Sequence, residues 1–401
     1  MSKFLGFKPL ISSLLILSAF ACSSESNLNN SDIQQLQSSN NVSSSSSTSL
    51  PVNIGFNNAY KMLFKENEPI ARKDPKNSDK YLFNLIDSAK TTIDAAFYDI
   101  DNQEAADAFV RAQQRGVKVR IVTDTDNMKD EIDPTKPRKQ IADMLSAGVE
   151  VKEDKRSAIM HQKFMVVDGA VSLAGSMNLT TTSMYKHNNN VLTFQSTEMA
   201  TNYTEEFNRM FEQGLFGPNK RTVSFPQVKV GDADIKIFFS PKGGAMAAVL
   251  DELNNAKKSI KFMTFSLTGN TLKDILLAKK TSGLLVEGVM DECLSRGAYS
   301  LIRPLKAAKV YVLRDGNQAL LHHKVFMIDD ETVITGSSNY SDSAENGNNE
   351  NTLIIKSKSI ANIYLKEYNR VKTSAKTHTN VPHFDNPACG SDSKIKKSEA
   401  F

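Results

Sequence analysis

The chain has 401 residues, 40% of them hydrophobic and 23% charged, with a formal net charge of +4 and no tryptophan. This composition describes a globular body with a core and excludes a fibrous, wholly disordered or multiply membrane-spanning protein. So small a charge surplus is no argument for nucleic-acid binding, which needs a concentrated basic face. Cys22, Cys293 and Cys389 are too few and too scattered for a disulfide scaffold or a zinc site.

Lys3 and Lys8 precede an apolar stretch from Leu10 to Ala21. It is too short to span a bilayer at ~20 residues per helix but fits the apolar region of an export signal. Residues 1–21 are therefore read as a signal, and the protein is expected in the cell envelope. The run Ala19-Phe20-Ala21-Cys22 resembles a lipoprotein signal, so two outcomes stay open. Either Cys22 is lipidated and anchors the protein to a membrane surface, or the chain is cleaved and released. Residues 22–50, rich in Ser, Asn and Gln, read as a flexible tether.

From about Val52 an α/β pattern begins, and it occurs twice. In the first round a helical segment with Tyr81, Leu82, Leu85 and Ile86 leads into the apolar run 93–100. A helix over 104–114 then ends at Arg115-Gly116, and a strand over 117–123 follows. In the second, a helix over 246–255 precedes a strand over 259–267, and a helix over 272–280 ends near Gly283 before a strand over 284–290. The halves are bounded at 51–225 and 226–373, with 374–401 read as a tail. There Cys389 has Cys293 as a candidate disulfide partner, or both remain thiols.

A motif pins the two copies together. His161-Gln162-Lys163 is followed by Asp168 and then Gly175-Ser176-Met177-Asn178; at the same internal spacing, His322-His323-Lys324 is followed by Asp329 and Gly336-Ser337-Ser338-Asn339. The first copy carries extra residues around Asp133-Pro134-Thr135-Lys136-Pro137, read as a loop. On a strand, alternate residues share a face, so each His points with its Lys, while His323 points the other way into the core. The combination suits a phosphodiester. Lysine offers a fixed positive charge and asparagine neutral hydrogen bonds to phosphoryl oxygens, and histidine can attack phosphorus or move protons near neutral pH. One copy is incomplete, because displacement needs an attacker on one side and a proton donor on the other. No metal or other cofactor is implied, since clustered carboxylates are lacking where a metal-dependent phosphodiesterase needs them.

The doubled motif resembles that of the phospholipase D superfamily, over about Val52 to Lys372, and the stretch 348–355 resembles its compact endonuclease-like branch. The resemblance implies two α/β repeats about a pseudo-twofold axis, one active site at their interface and a monomer that needs no second chain. It implies that one of His161 and His322 attacks phosphorus to give a phosphohistidine while the other protonates the leaving alcohol. Lys163, Lys324, Asn178 and Asn339 would hold phosphate oxygens, with Ser176 and Ser337 as secondary contacts. Asp168 and Asp329 belong to the catalytic motif but are expected to support the strands. Glu350 would orient a histidine, which favours His161 as nucleophile. The matching residue of the first half is Asn189, so the half-sites differ. His187 is expected at the surface or behind the site.

The favoured substrate is a phospholipid head-group ester, the alternative a nucleic-acid phosphodiester. Lys136, Arg138, Lys139, Lys152, Lys155 and Arg156 are the candidate strand-binding track for the latter, with a solvated surface as the plainer reading of the same charges. Phosphatidyl transfer and non-catalytic phosphate binding are weaker alternatives.

Overall fold

The continuous apolar runs after the two His-x-Lys motifs become central strands of two sheets. This is seen in a computed structural model that describes residues 51–57, 64–130, 132–219, 221 and 223–377. Residues 1–50, including the expected signal, Cys22 and the tether, lie outside the described residues, as does Cys389. Cys293 is disulfide-bonded.

The first sheet contains β1 (Val52–Phe56), β2 (Thr92–Phe97), β3 (Lys118–Thr123), β4 (Glu150–Glu153), β5 (Lys163–Val167), β6 (Val171–Gly175) and β7 (Asn190–Gln195), in the order β1-β7-β6-β5-β2-β3-β4. The second contains β8 (Gln227–Val230), β9 (Ala233–Ser240), β10 (Ser259–Thr264), β11 (Leu285–Met290), β12 (Tyr311–Arg314), β13 (Lys324–Ile328), β14 (Thr332–Gly336) and β15 (Glu350–Lys356), in the order β12-β11-β10-β13-β14-β15-β9-β8. Apart from the additional edge strand β8, the orders correspond strand for strand. β2 and β10 each pair in parallel with the next strand and antiparallel with the motif strand. Every residue of β5 and β13 is buried, as expected for strands covered on both faces.

Three cores follow from this layering. Each sheet carries helices on its outer face over its own apolar cluster. A third cluster lies between the sheets and draws on both halves, with Phe164, Leu192 and Phe207 from the first and Phe239, Val325 and Leu353 from the second. The helices Thr197–Phe211 and Lys358–Thr377 pack on these inner faces. Fully buried side chains of this size each contribute about 1.5–3 kcal/mol, so the shared cluster opposes separation of the halves. Local signals set the helix ends. Asn102 caps Gln103–Gln114 by accepting the Ala105 N–H at 2.9 Å, and Gly116 closes that helix at φ +89°, where a side chain would be strained.

Three expectations shift. β2 and β10 stop at Phe97 and Thr264, short of the apolar runs that predicted them, because Tyr98 and Phe265 turn out of the sheet. β5 begins at Lys163 and β13 at Lys324, so each histidine precedes its strand. The final helix runs through Thr377, four residues into the segment read as a tail, with Val371 and Ala375 buried against the core.

Candidate active site

The histidines leave their own sheets to pair with the opposite half. The His161 N–H donates to the Asn349 carbonyl at 2.9 Å, and the His322 N–H donates to the Asn188 carbonyl at 3.0 Å. Isolated bridges Met160–Asn349 and Asn188–Leu321 mark the same two crossings. Each histidine is thereby anchored by the half that does not contain it. Arg156 fastens one crossing further, donating to Asn349 Oδ1 at 2.8 Å and to the Gly347 carbonyl at 2.9 Å.

Around each histidine the parts repeat. Lys163 Nζ donates to the His161 carbonyl at 2.8 Å and Lys324 Nζ to that of His322 at 3.0 Å. Tyr98 meets the His161 ring edge-on at a centroid distance of 5.2 Å, and Phe265 meets His322 at 4.8 Å. The same aromatic rings face the lysines, Tyr98 at 5.2 Å from Lys163 Nζ and Phe265 at 4.7 Å from Lys324 Nζ, as cation–π pairs. All four motif side chains are buried. Burial is the main cause that holds both histidines well below their ordinary pKa. The lysines of both halves add to it, since Lys324 acts on His161 and Lys163 on His322. Charges from each copy therefore converge on one site.

The histidines differ in what faces Nδ1. For His161 it is the Glu350 carboxylate, with both oxygens at 2.8 Å. For His322 it is Asn189 Oδ1 at 2.9 Å and the Ser176 carbonyl at 3.1 Å. The Asn189 amide donates to Ser183 Oγ and the Ser183 carbonyl, which assigns its oxygen to the histidine. With two acceptors facing it, His322 Nδ1 carries a proton, and Nε2 presents a lone pair. Burial raises Glu350 to about 8 against the opposing pull of Lys163, Ser337 and Lys324, so Glu350 and His161 share a proton as a coupled pair.

Several predicted residues take other places. Ser176 and Ser337 are not aimed at a phosphate: both are fully buried. Ser176 Oγ donates to Asn189 Oδ1 at 2.8 Å and Ser337 Oγ to Glu350 Oε2 at 2.6 Å, so they orient the groups that face the histidines. Asp168 and Asp329 lie at the far ends of β5 and β13 and are no part of the site. Asp168 accepts the backbone N–H groups of Lys90, Thr91 and Thr92, and Asp329 accepts those of Lys257, Lys258 and Ser259. Each ties down the chain entering a central strand. Asn178 and Asn339 are buried at the ends of the Gly-Ser-x-Asn segments, where Asn178 Oδ1 has no partner among the described residues. The motif glycines are steric requirements: a Cβ on Gly175 would sit 2.2 Å from the Asn190 carbonyl oxygen, and one on Gly336 2.3 Å from that of Asn351.

Of the two places expected for His187, the surface or behind the site, it takes the second, with its ring 6.0 Å from that of His322. Burial, then Lys324 and Lys186, lower it to about 3. His323 is buried as expected, between Asn190 Oδ1 and Glu367 Oε1 at 3.1 Å each. Tyr98 and Phe265 escaped the sequence reading, although their spacing equals that of the turn glycines Gly116 and Gly283. Two members of the candidate basic track, Arg138 and Arg156, are held inside the fold, while its lysines stay exposed, three of them with partners at the surface. Arg138 pairs with Asp99, Lys139 with Asp143 and Lys136 with Asp133, Lys152 donates to the Phe211 carbonyl, and Arg156 holds the crossing described above. Among the described residues no group of three or more His, Cys, Asp or Glu is placed to hold a metal ion, and no helix is long and apolar enough to cross a membrane.

Residues 82–211 and 249–372 match the family described as "Cardiolipin synthase, PLD-like domain". The chain is 34% identical over 148 residues to mitochondrial cardiolipin hydrolase of Homo sapiens, covering 37% of this chain and 55% of that protein. The dog protein of the same name gives 33% over 150 residues, with 37% and 56% covered. The chain thus spans little more than half the length of these two relatives. A phospholipase D of Rickettsia prowazekii is 25% identical over 182 residues, covering 45% of this chain and 87% of that one. Among solved structures, phosphatidylserine synthase of Haemophilus influenzae superposes with a TM-score of 0.58 over 87% of this chain and 91% of that one at 14% identity, a likeness of fold.

Proposed function

Since the chain belongs to the phospholipase D-like family, we propose that it is a phosphodiesterase of that superfamily and hydrolyses phospholipid head-group esters through a phosphohistidine. In this reading the anionic diester, as it binds, draws a second proton onto Nε2 of His322. His161 Nε2 then bonds to phosphorus, the bond from phosphorus to the head-group oxygen breaks, and His322 Nε2–H supplies the proton taken by the leaving alcohol. His322 then takes a proton from water, the water oxygen bonds to phosphorus, and the phosphorus–nitrogen bond breaks to release phosphatidate. Lys163, Lys324, Asn178 and Asn339 neutralise and orient the phosphoryl oxygens. Glu350 supports the imidazolium character that His161 gains when it is phosphorylated.

The contact between His161 Nδ1 and Glu350 at 2.8 Å carries the assignment of nucleophile, because the opposite histidine has no carboxylate. The lipid preference draws on the relatives named cardiolipin hydrolase and phospholipase D, and on the internal partners that hold Arg138 and Arg156, two of the cations a nucleic-acid track would use. An anchor at Cys22 or release after a signal would each place such an enzyme in the envelope.

The test offers the purified protein cardiolipin and phosphatidylglycerol vesicles beside single- and double-stranded DNA, in chelator, with His161→Asn as the blank. Released head group or phosphatidate without DNA cleavage is the expected result. DNA cleavage alone would replace the lipid with a nucleic acid, and activity that requires one added metal would overturn the two-histidine route.

A further inference from the structure

Behind the histidines lies a second set of buried acids, and both halves have it. β3 and β4 pair with Thr123 opposite Glu153, so the next residues, Asp124 and Asp154, leave the sheet side by side, about one ~4.8 Å strand spacing apart. β11 and β12 pair with Met290 opposite Arg314, and Asp291 and Asp315 leave in the same way. The pairs are repeat copies. Asp291 follows Asp124 at the spacing that separates the turn glycines, and Asp315 follows Asp154 at the spacing that separates the motif histidines.

Both pairs reach the same place in the backbone. Asp124 Oδ2 accepts the N–H of Met160 at 3.0 Å, and Asp291 Oδ2 accepts the N–H of Leu321 at 3.0 Å. Met160 and Leu321 immediately precede His161 and His322. The second acid of each pair is itself fixed. Asp154 Oδ1 accepts Thr125 N–H at 3.1 Å and Thr125 Oγ–H at 2.9 Å, while Asp315 accepts Glu292 N–H at 2.8 Å and Asn317 N–H at 3.1 Å. None of the four carboxyls belongs to a residue more than 5% exposed.

We propose that Asp124 with Asp154, and Asp291 with Asp315, are positioning residues for the reaction, each pair fixing through one backbone N–H the histidine of its own half. This rests on the catalytic reading of His161 and His322 above. A misplacement of about 1 Å at a reacting group can cost ~10²-fold in rate, and a hydrogen bond one residue upstream is well placed to prevent it.

Adjacent buried carboxylates resist double ionisation. Burial, reinforced by Asp154, raises Asp124 to about 7, and burial also pushes Asp154 up. Burial, with Glu292 adding, raises Asp291 to about 7, and burial with Asp291 raises Asp315 well above the ordinary value. The other charged groups facing the first pair are Asp126 and Arg156. For the second it is Glu292, itself paired with Arg296 and Arg314. The folded-state values are raised, so the stabilising protonation is complete below the ordinary aspartate range and is lost as pH rises through about 7.

The experiment uses the full chain and a soluble probe, bis(p-nitrophenyl) phosphate, with kcat and KM measured from pH 5 to 9 and the imidazole resonances of His161 and His322 followed by NMR. Asp124→Ala is expected to lower kcat at least tenfold with KM within twofold and to move the His161 resonances more than those of His322. Asp291→Ala should do the reverse. Asp124→Asn, which keeps an acceptor without the charge, should recover most of the loss and move the alkaline limb of the kcat profile upward. Equal shifts at both histidines, shifts at neither, or an alkaline limb for Asp124→Asn that superimposes on the wild type would overturn the proposal. Should the alanine variants not fold, the asparagine profile and resonances decide. Wild-type turnover no greater than that of His161→Asn would remove the catalytic reading, while the resonances would still decide the positioning.

Discussion

The two halves share a strand order, a lysine, an edge-on aromatic and a buried acid pair, yet they differ at the atom that faces each histidine. His161 meets Glu350, and His322 meets Asn189. A carboxylate stabilises positive charge on the ring it faces, whereas an amide oxygen holds the tautomer without adding charge. The pair therefore teaches that duplication conserved the frame while the polar shell diverged, and that the roles of the histidines need not be interchangeable.

The sharpest way to break this comparison is to remove each histidine in turn. His161→Asn and His322→Asn should both lower turnover by about 10³-fold or more, but a trapped phosphoenzyme should disappear in the first and accumulate slowly in the second. A label recovered on a peptide containing His322 would exchange the assignments.

A smaller effect separates the two shells. Glu350→Gln should cost about 10²-fold in kcat, the scale of losing one preorganised electrostatic group, while Asn189→Ala should cost less than tenfold. Equal losses measured by steady-state kinetics would mean that the amide does the same work as the carboxylate.

The smallest expected effect is on stability. The folded pKa of Glu350 is raised to about 8, so its protonation favours the fold at low pH and this contribution is lost as pH rises through about 8. Glu350→Gln, neutral throughout, should raise the thermal midpoint relative to wild type by about 2 °C or more at pH 9 and by less at pH 5. A difference that does not depend on pH, measured by differential scanning calorimetry, would mean that Glu350 does not titrate as described.

The sequence was most informative where the fold repeats at fixed spacing. His161, Lys163, His322 and Lys324 stand out because the motif recurs with its internal distances preserved, and the alternation of helices and strands carries the α/β class. Glu350 stands out only through the resemblance to the superfamily, because the first half has Asn189 in its place. The same spacing was present for Tyr98 with Phe265 and for Asp124 with Asp291, but those residues lie where a strand has just ended. Neither period 2 nor period 3.6 assigns a direction to a side chain there. Ser176 and Ser337 were misread for a related reason. Whether a hydroxyl faces a substrate or its own Asn189 or Glu350 depends on contacts across neighbouring strands, which no local pattern records. The choice between the surface and a place behind the site for His187 could not be made from sequence, because its approach to His322 is made through a crossing between the halves.

That crossing also gives the site a history within each molecule. Glu350 opens β15, the last strand of the second sheet, and the Asn349 carbonyl that anchors His161 immediately precedes it. While the chain is being synthesised at roughly 5–20 residues per second, the first half can complete its sheet long before either group exists. His161, the proposed nucleophile, then has neither its carboxylate nor its backbone anchor. On the two-histidine reading, the reaction is thus withheld from the growing chain until the second half has delivered β15, and the docking of the halves and the onset of chemistry become one event.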